Sequence, residues 1–588
     1  MSIAFRNTNE IWAFVLTETL KRLGLNCVVI CPGSRSTPLA VAFAQQKPTI
    51  EVISILDERS AAFFALGRAK VTGKPVAVVC TSGTAGANFY PAVIEAKESC
   101  IPLLLLTADR PQELRECHSG QTIDQVKLYG NYPNWHTELA LPSVELGMLA
   151  YLRQTLIHAW RRSLAPVAGV VHLNIPLRDP LAPIADGVDL SHVESQLATA
   201  DFFSHIIPPA SYGIQTSIKI GTEIDGESLF SSISCRRGIL IAGIAQPQQP
   251  QEYCAAISQL SKFFNFPVLA EGLSPVRNYA DFNPYLISTY DSILRNSQLA
   301  AELAPEVVIL IGEMPTSKEL RTWLQKHQPL MWIIDKSDRN LDSLHLKTEH
   351  LRVSIDELAH GLTHQFTEKP KSKYLEAWCQ AETITSKNRD RILAATNDFF
   401  EGKVAWLLSQ TLPAKTPLFI ANSMPVRDME FFWKPNNLGI QPFCNRGANG
   451  IDGTLSTAFG VAHRHQPSVL LTGDLTLLHD TNGFLIRNKF VGHLTIILIN
   501  NNGGGIFEML PIAQFEPPFT ELFATPQDID FAQLCTTYGV EHHLITSWQD
   551  LQAKLNPLPT QGIRVLELRS DRKADAQWRK ENLANIAL

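Results

Sequence analysis

The sequence predicts an α/β protein of three domains, each built on a parallel sheet covered by helices. Two observations carry that expectation. Short apolar runs are followed repeatedly by a Gly/Pro/Ser/Thr loop and then a segment of helical periodicity, the pattern of βαβ units. The runs are continuous rather than alternating, which suits strands buried on both faces. The chain has 588 residues, too many for one core at roughly 150 residues per domain, so three or four domains are expected.

In chain order, Cys27 to Cys31 reads as the first strand and leads into Pro32-Gly33-Ser34-Arg35-Ser36-Thr37-Pro38. Val52 to Leu56 leads into Asp57-Glu58-Arg59-Ser60 and an amphipathic helix, Ala61 to Lys70. Val76 to Cys80 runs into Thr81 to Gly86 and another helix, and Leu103 to Leu106 opens onto Thr107-Ala108-Asp109-Arg110-Pro111. Ligands of such sheets bind in the crevice beyond the carboxyl ends of the strands, so these polar loops are expected to line it. A strand at Gly169 to Ile175, followed by Pro-rich Pro176 to Pro183, closes the first domain, placed at 1–185. After a polar connector, strands at Gly238 to Ala242, Pro267 to Ala270, Val307 to Ile311 and Met331 to Ile334 define a central α/β domain at 200–365. A charged, apolar-poor stretch from Glu368 to Arg391 marks the next boundary. The third domain, 390–588, has strands at Leu418 to Ala421, Val469 to Leu471 and Leu494 to Ile499. Three units of similar length suggest an old duplication.

Lys and Arg total 51 against 57 Asp and Glu, a formal net charge of −6. The basic footprint of a general nucleic-acid binder is therefore missing, and the expected partners are small molecules or other protein chains. With 45% hydrophobic and 18% charged residues, 33 Gly and 36 Pro, collagenous, low-complexity and disulfide-scaffold classes are excluded. Met1 to Arg22 has no basic segment followed by an unbroken apolar one, and no run approaches the ~18 apolar residues of a membrane span, so a cytoplasmic protein is expected. The ten cysteines, several inside strand-like runs, read as reduced, buried small hydrophobes. Cys27 and Cys31 lack a second pair, and His463-Arg464-His465 is no better a metal site.

The most informative segments are Gly473-Asp474-Leu475, after the strand Val469 to Leu471, and Asn500-Asn501-Asn502-Gly503, after the strand Leu494 to Ile499. Either alone reads as a turn. As a pair, the ends of two parallel strands can lie side by side. The Asp474 carboxylate, the Asn501 amide oxygen and a backbone carbonyl could then hold a hard divalent cation whose remaining positions are filled by phosphate.

This pair resembles the thiamine diphosphate motif, G-D followed after a spacer by N-N. By that resemblance the ligands of Mg²⁺ or Mn²⁺ are Asp474, Asn501 and the carbonyl of Gly503, with Gly473, Leu475, Ile506 and Phe507 also on the cofactor. Leu475 stands where Gly is commoner. Glu58, after a strand and opening a helix, matches the glutamate that hydrogen-bonds the aminopyrimidine ring and favours the imino tautomer. Without the companion motif it would read as a carboxylate favoured by a helix N-terminus.

Narrower motifs pick out one branch. Cys31 to Leu39, Asp57 to Ala61, Thr107 to Pro111, Asn445 to Gly453 and Asn501 to Phe507 resemble the 2-succinyl-5-enolpyruvyl-6-hydroxy-3-cyclohexene-1-carboxylate synthases, a thiamine diphosphate-dependent family. The resemblance covers both outer domains and implies a pyrimidine domain and a diphosphate domain flanking the central one. It also implies decarboxylation of 2-oxoglutarate and 1,4-addition of the succinyl-semialdehyde carbanion to isochorismate, in menaquinone or phylloquinone formation. Both substrates are polyanions, and Arg35, Arg110, Arg427 and Arg446 sit in loops after strands, where guanidinium groups can grip carboxylates in bidentate fashion.

Residue by residue, the resemblance assigns Ser34, Arg35, Arg110 and Gln121 to isochorismate or the late adduct, and Ser423, Arg427 and Arg446 to substrate carboxylates. Lys318 is carried over on a thinner alignment. Ile451 would be the apolar wedge that bends thiamine, with Phe507 and Leu510 enclosing the reacting carbon. The family's glutamate and metal motifs meet across two subunits, so a homodimer is implied, with a tetramer left open. The competing readings are another 2-oxo acid decarboxylase or an acetohydroxyacid synthase-like enzyme, which the arginine-rich motifs disfavour, and a nicotinamide or flavin oxidoreductase. For the last, no G-x-G-x-x-G follows any of the strands. A non-enzymatic scaffold would not need Glu58, Asp474 and Asn501 together.

Overall fold

The computed structural model describes residues 5–197, 201–206, 236–361 and 370–587. They form three six-stranded sheets in which every ladder between strands is parallel. The first sheet has the order β2-β1-β3-β4-β6-β5. Its strands are β1 (Cys27–Ile30), β2 (Glu51–Ser54), β3 (Val76–Cys80), β4 (Leu103–Asp109), β5 (Trp135–Glu138) and β6 (Val170–Pro176). The second consists of β7 (Gly238–Ala242), β8 (Val268–Ala270), β9 (Leu286–Ile287), β10 (Val307–Ile311), β11 (Leu330–Ile334) and β12 (Lys347–Leu351), in the order β12-β11-β10-β7-β8-β9. The third has β13 (Pro417–Ile420), β14 (Gln441–Cys444), β15 (Ser468–Gly473), β16 (His493–Asn500), β17 (Glu541–Leu544) and β18 (Gly562–Arg569), in the order β14-β13-β15-β16-β18-β17.

The first and third sheets share one topology, strand for strand, as a duplication would leave them. The central sheet does not share it. Counted from its own first strand its order is 3-2-1-4-5-6, that of dinucleotide-binding folds. The turn after β7 is Gly243-Ile244-Ala245-Gln246-Pro247, which lacks the phosphate-binding glycine pattern, so strand order alone licenses no dinucleotide here.

Period-two alternation explains why the central strands are apolar throughout. Leu240 and Ala242 of β7 join a core with Cys254, Ile257 and Leu260 of the helix Pro250–Phe264. Ile239 and Ile241 face the opposite way, onto Leu320, Trp323 and Leu324 of the helix Lys318–His327 and onto Trp378. Trp378 belongs to the helix Lys373–Ala395, which buries Leu375, Trp378, Ala381 and Leu393. Trp378 and Ala381 of this helix join the core beneath the central sheet, whereas Leu393 joins that of the third, so the helix runs through the stretch expected as a boundary, Glu368 to Arg391. From Lys373 onward that stretch is a helix that buries Leu375, Trp378, Ala381 and Leu393 and leaves Ile384 exposed, while 362–369 lie outside the described residues. Likewise the core under the first sheet continues past 185, taking in Val193, Leu197, Phe202 and Phe203.

The chain divides into two compact units. One comprises Met1–Thr216, Asn445–Arg464 and His479–Val491, and the other Ser217–Cys444, His465–Leu478 and Gly492–Leu588. Within the first, the helix Glu58–Thr72 is buried nearly all round rather than on one face as expected, because the helix Thr454–Ala462 packs along it. A Cβ on Gly67 would stand 2.1 Å from the Thr457 carbonyl oxygen, and one on Gly460 would stand 2.1 Å from that of Phe64. Only glycine permits so close a crossing. Of the cysteines, Cys27, Cys31, Cys80, Cys254, Cys444 and Cys535 are buried, Cys100 and Cys379 half-buried and Cys117 exposed, so the expectation of burial fails at Cys117. Cys235 lies outside the described residues. No described helix is long and apolar enough to cross a membrane.

Candidate active site

In the first unit, the loops after β1, β3 and β4 converge. A Cβ on Gly33 would stand 2.2 Å from Thr81 Cβ, so the β1 loop rests directly on the β3 loop, and Arg35 N donates to Thr81 Oγ1 at 3.3 Å. The Arg35 guanidinium donates to the Leu177 carbonyl at 2.9 Å and lies 3.9 Å from Asp179. Arg110, just past β4, donates through Nη1 to Ser82 Oγ and to the Gln121 carbonyl, the latter at 2.8 Å. Gln121 has φ +56° and returns its own side chain to the Ser82 carbonyl at 2.9 Å. Burial lowers the proton affinity of Arg110, and the charge of Arg35 lowers it further. Two cations therefore act on one another at a shared strand end, an arrangement that an anionic ligand relieves. Ser34, in the same loop, is exposed.

Beneath this loop lies a buried network that sequence reasoning missed. Asp109, fully buried, accepts from Arg110 N at 2.7 Å and from Asn174 Nδ2 at 2.9 Å. Arg115 forms ion pairs with Asp109 at 3.0 Å and Glu138 at 2.6 Å. Arg115 thus supplies a countercharge to Asp109, the carboxylate next to Arg110, while the Arg110 guanidinium donates to Ser82 and Gln121.

Glu58 is the first residue of its helix. Asp57 caps that helix, accepting from Ser60 N at 3.2 Å and from Asn482 Nδ2 at 2.7 Å. Partial burial raises the Glu58 carboxyl above its ordinary value. Burial raises the thiols of Cys31 and Cys80, at the ends of β1 and β3, and the charge of Glu58, which follows the neighbouring β2, raises them further. Gly447 N and Ala448 N donate to Glu95 at 3.0 and 2.7 Å, docking the loop that carries Arg446. Ile451 is half-buried, and its carbonyl accepts from Thr454 Oγ1 at 3.0 Å. Nearby, Gly453 at φ +60° packs against Phe63, where a Cβ would come within 2.0 Å of the ring.

In the second unit, β15 pairs with β16, so Gly473 and Ile499 stand side by side and the two motif loops leave neighbouring strand ends. Asp474 is 5% exposed. Its carboxylate accepts from Leu475 N at 2.7 Å and from Gly503 N at 2.8 Å, and burial still pushes its pKa up to about 6. The Asn501 Nδ2 donates to Glu401 at 2.7 Å, whereas its Oδ1 is buried with no hydrogen-bond partner. A buried carboxylate short of positive charge and an orphaned amide oxygen on adjoining loops fit a hard cation. Gly503, at φ +144°, would bring a Cβ to 2.4 Å from the Ala524 carbonyl. Gly504 N donates to that same carbonyl at 2.7 Å. Ile506 and Phe507 are half-buried on the following turn, Phe507 lies 5.8 Å from Phe523, and Leu510 is exposed.

Ser423 holds φ +71°, rare for a residue with a side chain, and Arg427 donates to its carbonyl at 2.6 Å from one turn along the helix Met424–Phe432. Lys318 opens the helix Lys318–His327, exposed, and makes no described hydrogen bond to the other candidate residues. The structure thus groups Ser34, Arg35, Arg110 and Gln121, groups Gly473, Asp474, Leu475, Asn501 and Gly503, and pairs Ser423 with Arg427. Ser82, Arg115 and Glu401 are additions. The Thr81 to Gly86 loop signalled Ser82, but nothing in the local sequence signalled the other two.

These domains belong to a thiamine pyrophosphate enzyme. The N-terminal TPP binding domain of that class matches residues 12–128, its middle domain 215–420 and its C-terminal TPP binding domain 436–567. Benzoylformate decarboxylase from Polynucleobacter necessarius shares the fold, with a TM-score of 0.68 over 96% of this chain and 99% of that one at 15% identity. Much nearer in sequence is the 2-succinyl-5-enolpyruvyl-6-hydroxy-3-cyclohexene-1-carboxylate synthase of Trichormus variabilis (strain ATCC 29413 / PCC 7937), 68% identical over 100% of this chain and 99% of its own length. The synthase of the same name from Gloeothece citriformis (strain PCC 7424) is 62% identical over the whole of both chains. The chain belongs to the 2-succinyl-5-enolpyruvyl-6-hydroxy-3-cyclohexene-1-carboxylate synthase family.

Proposed function

We propose that the chain decarboxylates 2-oxoglutarate with thiamine diphosphate and adds the remaining succinyl-semialdehyde unit 1,4 to isochorismate. The products are 2-succinyl-5-enolpyruvyl-6-hydroxy-3-cyclohexene-1-carboxylate and CO₂, within cytoplasmic menaquinone or phylloquinone synthesis. The observation that carries this reading is the pair of guanidinium groups, Arg35 and Arg110, held with Gln121 at one strand-end crevice of a thiamine diphosphate enzyme. A polyanionic acceptor needs such a site, whereas pyruvate, with one carboxylate, does not.

When bound, thiamine diphosphate supplies an electron-accepting thiazolium for loss of CO₂ from a 2-oxo acid. Asp474, Asn501 and the Gly503 carbonyl would hold Mg²⁺ or Mn²⁺ and so tether the diphosphate, beside Gly473, Leu475, Ile506 and Phe507. Glu58 holds a proton at the aminopyrimidine ring nitrogen, a role its raised proton affinity supports. Ser34, Arg35, Arg110 and Gln121 orient isochorismate. Ser423, Arg427 and Arg446 grip substrate carboxylates, and Lys318, a cation set against the unfavourable end of its helix dipole, adds a further charge. Ile451, Phe507 and Leu510 keep water from the reacting carbon. A homodimer is the proposed working unit. Exposed Leu510, Phe515 and Leu522, and Leu56 two residues before Glu58, support it as apolar surface that a second subunit would cover.

The test is CO₂ release from 2-oxoglutarate by purified protein with thiamine diphosphate and Mg²⁺, while isochorismate absorbance is followed. Consumption of isochorismate in step with CO₂ is expected. Decarboxylation of pyruvate with isochorismate untouched would overturn the substrate assignment and leave the cofactor assignment standing.

A further inference from the structure

Behind the Asn501 amide lies a buried carboxylate that belongs to no motif. Glu401, 3% exposed, is the first residue of the helix Glu401–Thr411. Its Oε1 accepts from Asn501 Nδ2 at 2.7 Å and from Ser570 Oγ at 3.0 Å. Its backbone N–H donates to Asp575 Oδ1 at 3.0 Å. Arg579 then pairs with Asp575 and Asp428, each at 2.6 Å, and lies over the ring of Phe400 at 5.0 Å. Glu401 is therefore fixed at its main chain by a buried ion-pair cluster and offers a rigid acceptor to Asn501.

An amide has a donor end and an acceptor end, whereas a carboxylate oxygen only accepts. With Nδ2 committed to Glu401, Oδ1 must face the other way, and it is this oxygen that is buried and unpartnered. Without Glu401 the amide could rotate by a half-turn and present its N–H₂ where a cation needs oxygen. Gly505 serves the same geometry, because a Cβ there would stand 2.6 Å from Asn501 Nδ2.

We propose that Glu401 is a positioning residue for the cation site, holding the Asn501 amide so that Oδ1 is offered to the divalent ion. The proposal rests on the metal reading given above. Partners of this kind orient a ligand without touching the metal, and their loss weakens metal binding by about 10- to 100-fold.

The test measures Mn²⁺ binding to the full-length chain with thiamine diphosphate, by the loss of free-ion electron paramagnetic resonance signal, alongside metal-free melting. Glu401→Met, which removes the acceptor, is expected to raise the Mn²⁺ Kd by about 10-fold or more. Glu401→Gln, which keeps an oxygen for Asn501, is expected to recover most of that loss. Asp474→Ala is expected to abolish tight binding. If Asp474→Ala binds Mn²⁺ like the native chain, the metal reading itself falls. If Asp474→Ala fails to bind while Glu401→Met binds normally, the metal reading stands and the role of Glu401 is refuted. A Gln variant as weak as Met would also refute it, assigning the effect to charge instead of orientation. If the Met variant does not fold, Gly505→Ala decides, since its methyl displaces Nδ2 from Glu401 without disturbing the buried cluster. Native Mn²⁺ affinity in Gly505→Ala would overturn the proposal.

Discussion

The crossing of the helices Glu58–Thr72 and Thr454–Ala462 gives a prediction whose size follows from the geometry. In Gly460→Ala, the new Cβ would stand 2.1 Å from the Phe64 carbonyl oxygen and 3.0 Å from both Arg68 N and Gly67 Cα. A carbon and a carbonyl oxygen pack at about 3.3 Å or more, so the helices must part by about 1.2 Å. Both clashing groups are backbone, and neither can rotate away. A radial gap of about 1 Å forfeits up to half of each dispersion contact along the seam, and overpacking of this kind costs about 1–3 kcal/mol. Against the upper end of that range stands about 1 kcal/mol gained from alanine's helix propensity, leaving a net loss of about 2 kcal/mol. For a unit of this size the melting midpoint should fall by roughly 4–8 °C, read by circular dichroism. Gly147→Ala is the control, because its Cβ meets nothing within 4 Å, and it should be neutral or slightly stabilising. Gly67→Ala together with Gly460→Ala should cost less than the two losses summed, since one separation relieves both clashes. A Gly460→Ala protein that melts at or above the native temperature would refute the reasoning.

Glu58→Gln should retain thiamine diphosphate, measured by equilibrium binding, while turnover falls by about 10²–10⁴-fold; near-native turnover would remove Glu58 from proton transfer. In Arg115→Met the Asp109 and Glu138 carboxylates lose their countercharge and should compete for Arg110, raising KM for isochorismate more than KM for 2-oxoglutarate. Equal changes in both constants would show that Arg115 serves the fold alone. Burial would raise the Glu51 carboxyl, yet hydrogen bonds from His463 and Arg464 outweigh it and hold the group at about 2. Because the folded value is depressed, the stabilisation is present above about pH 4.5 and is lost as pH falls towards 2. Glu51→Gln should therefore be less stable than the native chain at pH 7, by about 1–2 kcal/mol after allowance for solvent screening. The gap in melting midpoint should narrow as pH falls below about 4.5 and close near pH 2, and a gap that stays undiminished down to pH 2 would refute the assignment.

What the sequence made legible, and what it hid, divides along physical lines. Strands such as Val76–Cys80 and Val307–Ile311 were readable because burial on both faces demands an unbroken apolar run. The strands Trp135–Glu138, Lys347–Leu351, Gln441–Cys444 and Glu541–Leu544 were not, and each lies at the edge of its sheet, where a polar side survives. The strand Gly562–Arg569 lies inside its sheet but was concealed by Arg564 and Glu567. The fold satisfies both. Arg564 donates to Thr495 Oγ1 at 3.0 Å, and Glu567 accepts from Asn500 at 2.7 Å and Arg569 at 3.0 Å. A polar residue breaks an apolar pattern in the sequence without breaking the strand, provided that a neighbouring strand brings its partner.

The same distinction governs the candidate site. Asp474 and Asn501 are legible because each lies within two residues of a strand end and because a hard cation restricts ligands to oxygen. Arg110 is legible because a polyanion calls for guanidinium in a strand-end loop. Arg115 and Glu401 perform no chemistry that prescribes their residue type; Arg115 bridges Asp109 in its own loop to Glu138, 23 residues away, and Glu401 meets Asn501 across 100 residues. Arg115 pairs with the carboxylate next to Arg110, and Glu401 accepts from one end of an amide whose two ends are nearly isosteric. Neither task leaves a local pattern, since each depends on what the fold delivers from elsewhere in the chain. The residues proposed to meet the ligand can therefore be picked out from spacing, whereas those proposed to fix their charge and orientation emerge only once the strands are assembled.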